Sequence, residues 1–89
     1  MQASYPVLLD YVDRLMQLHQ KNDCVWADFF AGVKDRMERD PAFGRDYLIT
    51  AYGGMFNYED FGILPNAGDE RKRLETAEIA YQLAKELKQ

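Results

Sequence analysis

The chain reads as all-α, a small four-helix, mostly antiparallel bundle, and three observations predict this. Apolar residues recur at i, i+3, i+4 and i+7 through most of its length, the spacing of one face of an α-helix. The interruptions fall at Asn22-Asp23, Asp40-Pro41 and Gly53-Gly54, residue types that end or restart helices. With 89 residues, 47% of them hydrophobic and 13% aromatic, the chain suits one domain with one core. A chain this short buries only about 60–65% of its unfolded surface, so close helix packing must carry the fold.

The first helix is expected over residues 4–20. Ser4 serves as its cap, and Pro6 sits in the first turn, where a missing N–H costs nothing. Leu8, Tyr11, Val12, Leu15, Met16 and Leu18 form a stripe with His19 at its edge, opposite Asp10, Asp13, Arg14 and Gln17. Asn22 and Asp23 break the pattern and offer a cap to a second helix over residues 24–38. Its apolar face is Val25, Trp26, Phe29, Phe30, Val33 and Met37. The three aromatics there place this helix at the centre of the core, since burying each contributes about 1.5–3 kcal/mol.

Pro41 pushes Asp40 out of helical geometry, and the Asp40 carboxylate is expected to cap a third helix. Phe43, Tyr47, Leu48, Ala51 and Tyr52 make its inner face, and Gly53-Gly54 ends it. Residues 55–68 are irregular, since Gly62, Pro65 and Gly68 forbid a long helix, with a short turn around residues 58–61. Asp69 caps the last helix, which runs to Leu87 with Leu74, Ala77, Ala80, Tyr81, Ala84 and Leu87 inward and Ile79 and Leu83 beside them. Its three inward alanines permit close approach of a neighbouring helix.

Composition excludes several functions. The lone Cys24 forms no internal disulfide and no Cys-rich zinc site. The N-terminal residues lack the charged and apolar regions of a secretory signal, and no apolar run approaches the roughly 20 residues that span a bilayer. A reducing, cytoplasmic setting is expected. A net charge of −4 argues against nucleic acid, whose binding rests on Lys and Arg releasing counterions. Residues 1–22 and 69–89 are each charge-balanced, so the negative surplus lies between Asp23 and Gly68, favouring a basic protein partner.

Reactive constellations are scarce, and no catalytic activity, metal or cofactor is expected. His19 and Cys24 make a nucleophile–base pair on paper, but a predicted helix break separates them and both read as packing residues. His19 and Asp23 have the i, i+4 spacing of two metal ligands, yet no second histidine exists. The carboxylate pairs Glu59-Asp60 and Asp35/Glu38 read as solvated. Gly53-Gly54 follows a helix instead of opening one, which excludes a phosphate loop. Arg71-Lys72-Arg73 lies in a first helical turn, against the helix dipole, and pairing with Asp69, Glu75 and Glu78 accounts for it.

The aromatic run from Met55 to Phe61 has two readings. It folds back to cap the open end of the bundle, or it meets a partner, because irregular segments rich in aromatics commonly bind; both hold together if Phe56 and Phe61 lie inside and Tyr58 outside. Leu48, Tyr52-Gly53-Gly54-Met55, Tyr58, Asp60 and the helix from Leu74 to Leu87 together resemble a group of small uncharacterised bacterial helical proteins. That group has a Tyr-Gly-Gly-Met motif before an amphipathic C-terminal helix; Phe56-Asn57 departs from its usual Gly-Ser. The resemblance implies a helical fold and a bacterial origin, not a reaction. The functional expectation is a small acidic protein-binding domain, an immunity-like or antitoxin-like inhibitor, with Tyr58, Glu59, Asp60 and Phe61 as hot spots and Asp35 and Glu38 as rim charges. The alternative is a homo-oligomeric scaffold component, a homodimer in its simplest form.

Overall fold

Ser4 starts the first helix, α1 (Tyr5–Lys21), in the computed structural model, which describes residues 3–52, 58 and 62–88. Its Oγ accepts a hydrogen bond from the Val7 amide at 3.3 Å, satisfying one of the donors that a helix N-terminus leaves open. The buried line of α1 is Leu8, Val12, Leu15 and His19. His19 therefore occupies the last position of the inner stripe, not its edge.

Asn22 and Asp23 finish α1 and do not cap the next helix. The Cys24 amide bonds back to the His19 carbonyl and the Asp23 amide to the Gln20 carbonyl, the paired closure of a Schellman motif. Asp23 takes φ 52°, the left-handed conformation that normally falls to glycine. The second helix, α2 (Trp26–Arg39), starts without a side-chain cap, and Val25 before it is 79% exposed instead of lying on the apolar face. Ala27, Phe30, Val33 and Met37 turn inward.

Asp40 alone joins α2 to α3 (Pro41–Ile49). Its backbone is extended, φ −151° and ψ 100°, as the following proline requires. The carboxylate makes no capping bond, contrary to expectation. Gly44 and Leu48 form the buried face of α3, while Phe43 turns outward and is 57% exposed. The reason lies at Gly44, where a Cβ would strike the Met37 side chain and backbone. Backbone-to-backbone packing of α3 on α2 rotates the inner face by one residue and turns Phe43 away. The helix then tightens into a 3₁₀ turn, Thr50–Tyr52, where the Thr50 hydroxyl donates to the Tyr47 carbonyl. The expected terminator Gly53-Gly54 lies outside the described residues.

The last helix, α4 (Ala67–Lys88), begins two residues before the expected cap. Asn66 caps it, its Oδ1 accepting from the Asp69 amide at 3.0 Å. Asp69 is inside the first turn and nearly buried, where Asn22 and Lys21 hold it. The inner face runs Asp69, Arg73, Ala77, Ala80, Leu83 and Ala84. Leu74, expected inside, is 52% exposed, and Ile79 is exposed as well.

Four helices result, with no strand among the described residues. α1 packs on α2 and α4, and α3 packs on the same two helices, so each helix has two neighbours around a shared core. Leu8, Leu15 and Leu48 are fully buried there, each contributing about 1.5–3 kcal/mol. Arg45 ties the ends together, donating to the Tyr5 hydroxyl at 2.8 Å and the Leu87 carbonyl at 3.0 Å. A cation at the C-terminus of α4 also complements that helix dipole.

Two substitutions test this description. Asp23→Gly removes a left-handed penalty larger than the chain entropy that glycine adds, so the protein should gain about 0.5–1 kcal/mol in urea denaturation. Gly44→Ala should lose about 1–3 kcal/mol by the same measurement, despite the better helix propensity of alanine.

Candidate functional site

Where the core turns polar, four side chains from distant parts of the chain meet. The line along α4 begins with Asp69 and Arg73 before it becomes alanine, which aims Arg73 into the bundle opposite the last turn of α1. Arg73 is almost wholly buried. Glu70, one helical turn back, grips it with two short bonds, Nε to Oε1 at 2.6 Å and a terminal nitrogen to Oε2 at 2.7 Å. Glu70 Oε1 also accepts the Leu64 amide at 2.9 Å, so one carboxylate fixes both the cation and the entry to α4. Bidentate, charge-assisted geometry is what makes a buried guanidinium tolerable.

Tyr58 enters this space and is fully buried. Its hydroxyl lies 2.7 Å from His19 Nε2. The Arg73 guanidinium lies 5.0 Å from the ring centroid, in cation–π range of the same ring. Rings wall the rest: Trp26 at 5.0 Å and Phe30 at 5.1 Å meet Tyr58 edge to face, and Tyr52 does so at 6.0 Å. His19 in turn stacks on Phe30 at 5.5 Å. Gly62 closes one side, its amide bonded to the Tyr58 carbonyl and its missing Cβ leaving room for the ring.

The electrostatics favour neutral His19 and neutral Tyr58 beside one ion pair. Burial, reinforced by the Arg73 charge and opposed by Glu70, lowers the His19 pKa to about 4. Burial pushes the Tyr58 phenol up, against the opposing bond and charge of Arg73. The hydrogen bond from Arg73 lowers Glu70, with the Leu64 amide adding to it, and the bond to Glu70 raises Arg73. A weakly basic imidazole facing a weakly acidic phenol does not draw off its proton. The cluster therefore acts as a lock between α1, α2 and α4.

Several expectations change here. Tyr58 does not point outward; its ring is the centre of the aromatic cluster, and its hydroxyl meets His19 in the core. Glu59, Asp60 and Phe61 lie outside the described residues, as do Gly53 to Asn57. Asp35 and Glu38 are exposed on the outer side of α2, with Asp35 bridged to Arg39 at 3.3 Å. His19 Nε2 faces Tyr58, not Cys24. Arg73 leaves the expected surface run and pairs with Glu70, while Asp69 pairs with Lys21. Among the described residues, no three His, Cys, Asp or Glu side chains gather to hold a metal, and no helix is long and apolar enough to cross a membrane. The sequence carried one signal for the missed pair: continuing the alanine line back from Ala77 by one turn reaches Arg73, with Glu70 at i−3.

The pH dependence follows from His19. Between pH 6.5 and about 4 the unfolded chain takes up a proton that the folded protein refuses. Stability is thus full above 6.5 and should fall by on the order of 3 kcal/mol as pH drops to about 4. Loss from the carboxylates Glu70 and Asp69 belongs to a lower window, because their pKa values are depressed. Urea titrations at intervals across pH 4–7 should show this slope in the native chain and a flatter one in His19→Leu; equal slopes would remove His19 as the cause. Against known proteins, no family model, curated sequence or solved structure matches the chain.

Proposed function

We propose that this domain binds another protein through the corner where α2 meets α3, with Phe43 as apolar anchor and Asp35 and Glu38 as flanking charges. Phe43 is the observation that carries the reading. Its ring is 57% exposed although the same helix buries Gly44 and Leu48. The Arg36 guanidinium stands 5.8 Å from its centroid and 4.0 Å from that of Tyr47. An exposed aromatic beside an arginine is the composition enriched at interface hot spots.

Asp35 and Glu38 lie on the exposed side of α2 in a chain of net charge −4. Such a surface steers a basic partner and accelerates encounter. An inhibitor of the immunity or antitoxin type, active in a reducing cytoplasm, is the concrete form of this proposal. Self-association through Phe43 is the competing form, since the same ring serves a symmetric dimer equally well.

The test compares the native chain, Phe43→Ala and the double reversal Asp35→Lys/Glu38→Lys. Phe43→Ala should weaken binding to the captured partner at least tenfold, and the reversal should slow association mainly at low salt. Both variants should keep native stability, because the altered side chains are exposed. Unchanged affinity in Phe43→Ala ends the proposal. A native dimer in sedimentation that Phe43→Ala dissociates replaces it with self-association.

A further inference from the structure

We propose that the helical body carries a binding site for a small para-substituted phenol, occupied in this chain by its own Tyr58. The walls come from four separate elements: His19 on α1, Trp26 and Phe30 on α2, Tyr52 on the 3₁₀ turn and Arg73 on α4. Tyr58 lies 39 positions from its hydroxyl partner His19. Leu8, Val12, Leu15, Val33 and Leu48 belong to the same buried cluster as the Tyr58 ring.

The chemistry of the walls defines the ligand. Trp26, Phe30 and Tyr52 present edges and faces 5.0–6.0 Å from the ring centroid, a slot for one planar six-membered ring. At its inner end, His19 Nε2 lies 2.7 Å from the hydroxyl, and the Arg73 guanidinium stands 5.0 Å from the ring centroid. A ligand needs one hydroxyl to meet His19, and a short apolar group opposite, where Tyr58 has its Cβ. The compound of that description is p-cresol, the tyrosine side chain itself. Toluene has the same shape without the hydroxyl and leaves the buried His19 Nε2 without its partner, which a buried polar site penalises heavily.

The tethered ring outcompetes free phenols through its high effective concentration, so the experiment opens the site by truncation. Full-length Tyr58→Ala is heated with millimolar p-cresol, toluene or neither, followed by helical circular dichroism, beside the native chain and Tyr58→Ala/His19→Leu. The expected result is a clear rise in the melting temperature of Tyr58→Ala with p-cresol, and apparent affinity at least tenfold above that for toluene. The native chain should shift little, and His19→Leu should narrow the preference for p-cresol. If Tyr58→Ala is unfolded alone, p-cresol should restore its helical signal. Equal response to p-cresol and toluene, an equal shift in the native chain, or no recovery with p-cresol would each overturn the proposal.

Discussion

The bundle depends on how it disposes of one buried positive charge. Arg73 sits at a position where the geometry of α4 points straight into the core, and a lone guanidinium there would be ruinous. Glu70 neutralises it from one helical turn away, with two bonds in nearly ideal geometry. The same carboxylate fixes the Leu64 backbone. Tyr58 then fills the space left beside the pair, and His19 completes the set from α1. Each member satisfies a neighbour that would otherwise be stranded, so the cluster is cooperative in the sense that no one of its groups is comfortable alone. It also adds a directional contact, His19 to the Tyr58 hydroxyl at 2.7 Å, that an all-apolar interior lacks.

Helix positions were legible in the sequence because they rest on local rules. Ser4 caps, Pro41 restarts a helix, and the alanines of α4 face inward as their spacing indicates. What failed was judging each residue by its own chemistry in place of its neighbours'. Phe43 and Leu74 are apolar and yet exposed, while Arg73 and Asp69 are charged and yet buried. At Phe43 the deciding fact is the size of the next residue, Gly44, which a hydrophobicity pattern registers only as a gap. At Arg73 it is an interaction with Glu70 whose value depends on being out of water. Tyr58 stands out in the sequence, but its direction depends on a hydroxyl partner in α1, which no local window contains. The proposed binding corner shows the same limit, since Asp35 and Glu38 were legible as exposed charges while Phe43 emerged only from packing.

The division of aromatic residues between interior and surface is informative. Trp26, Phe29, Phe30, Tyr47, Tyr52 and Tyr58 form one continuous set of ring contacts, extended by Tyr81 stacked on Tyr52 at 4.5 Å. A protein this small has few aliphatic side chains to spare, and large rings supply much of its buried area. Against that demand, Phe43 stays outside because the close approach of Gly44 to Met37 takes the inner face of α3.

The Arg45 side chain has a topological consequence. By bonding to both Tyr5 and Leu87, it holds the start of α1 and the end of α4 within the span of a single guanidinium. Joining those ends with a short Gly-Ser bridge and opening the chain elsewhere would therefore demand little loop-closure entropy. The order in which the four helices are connected is thus separable from the way they pack, and a circularly permuted form can keep the same interior.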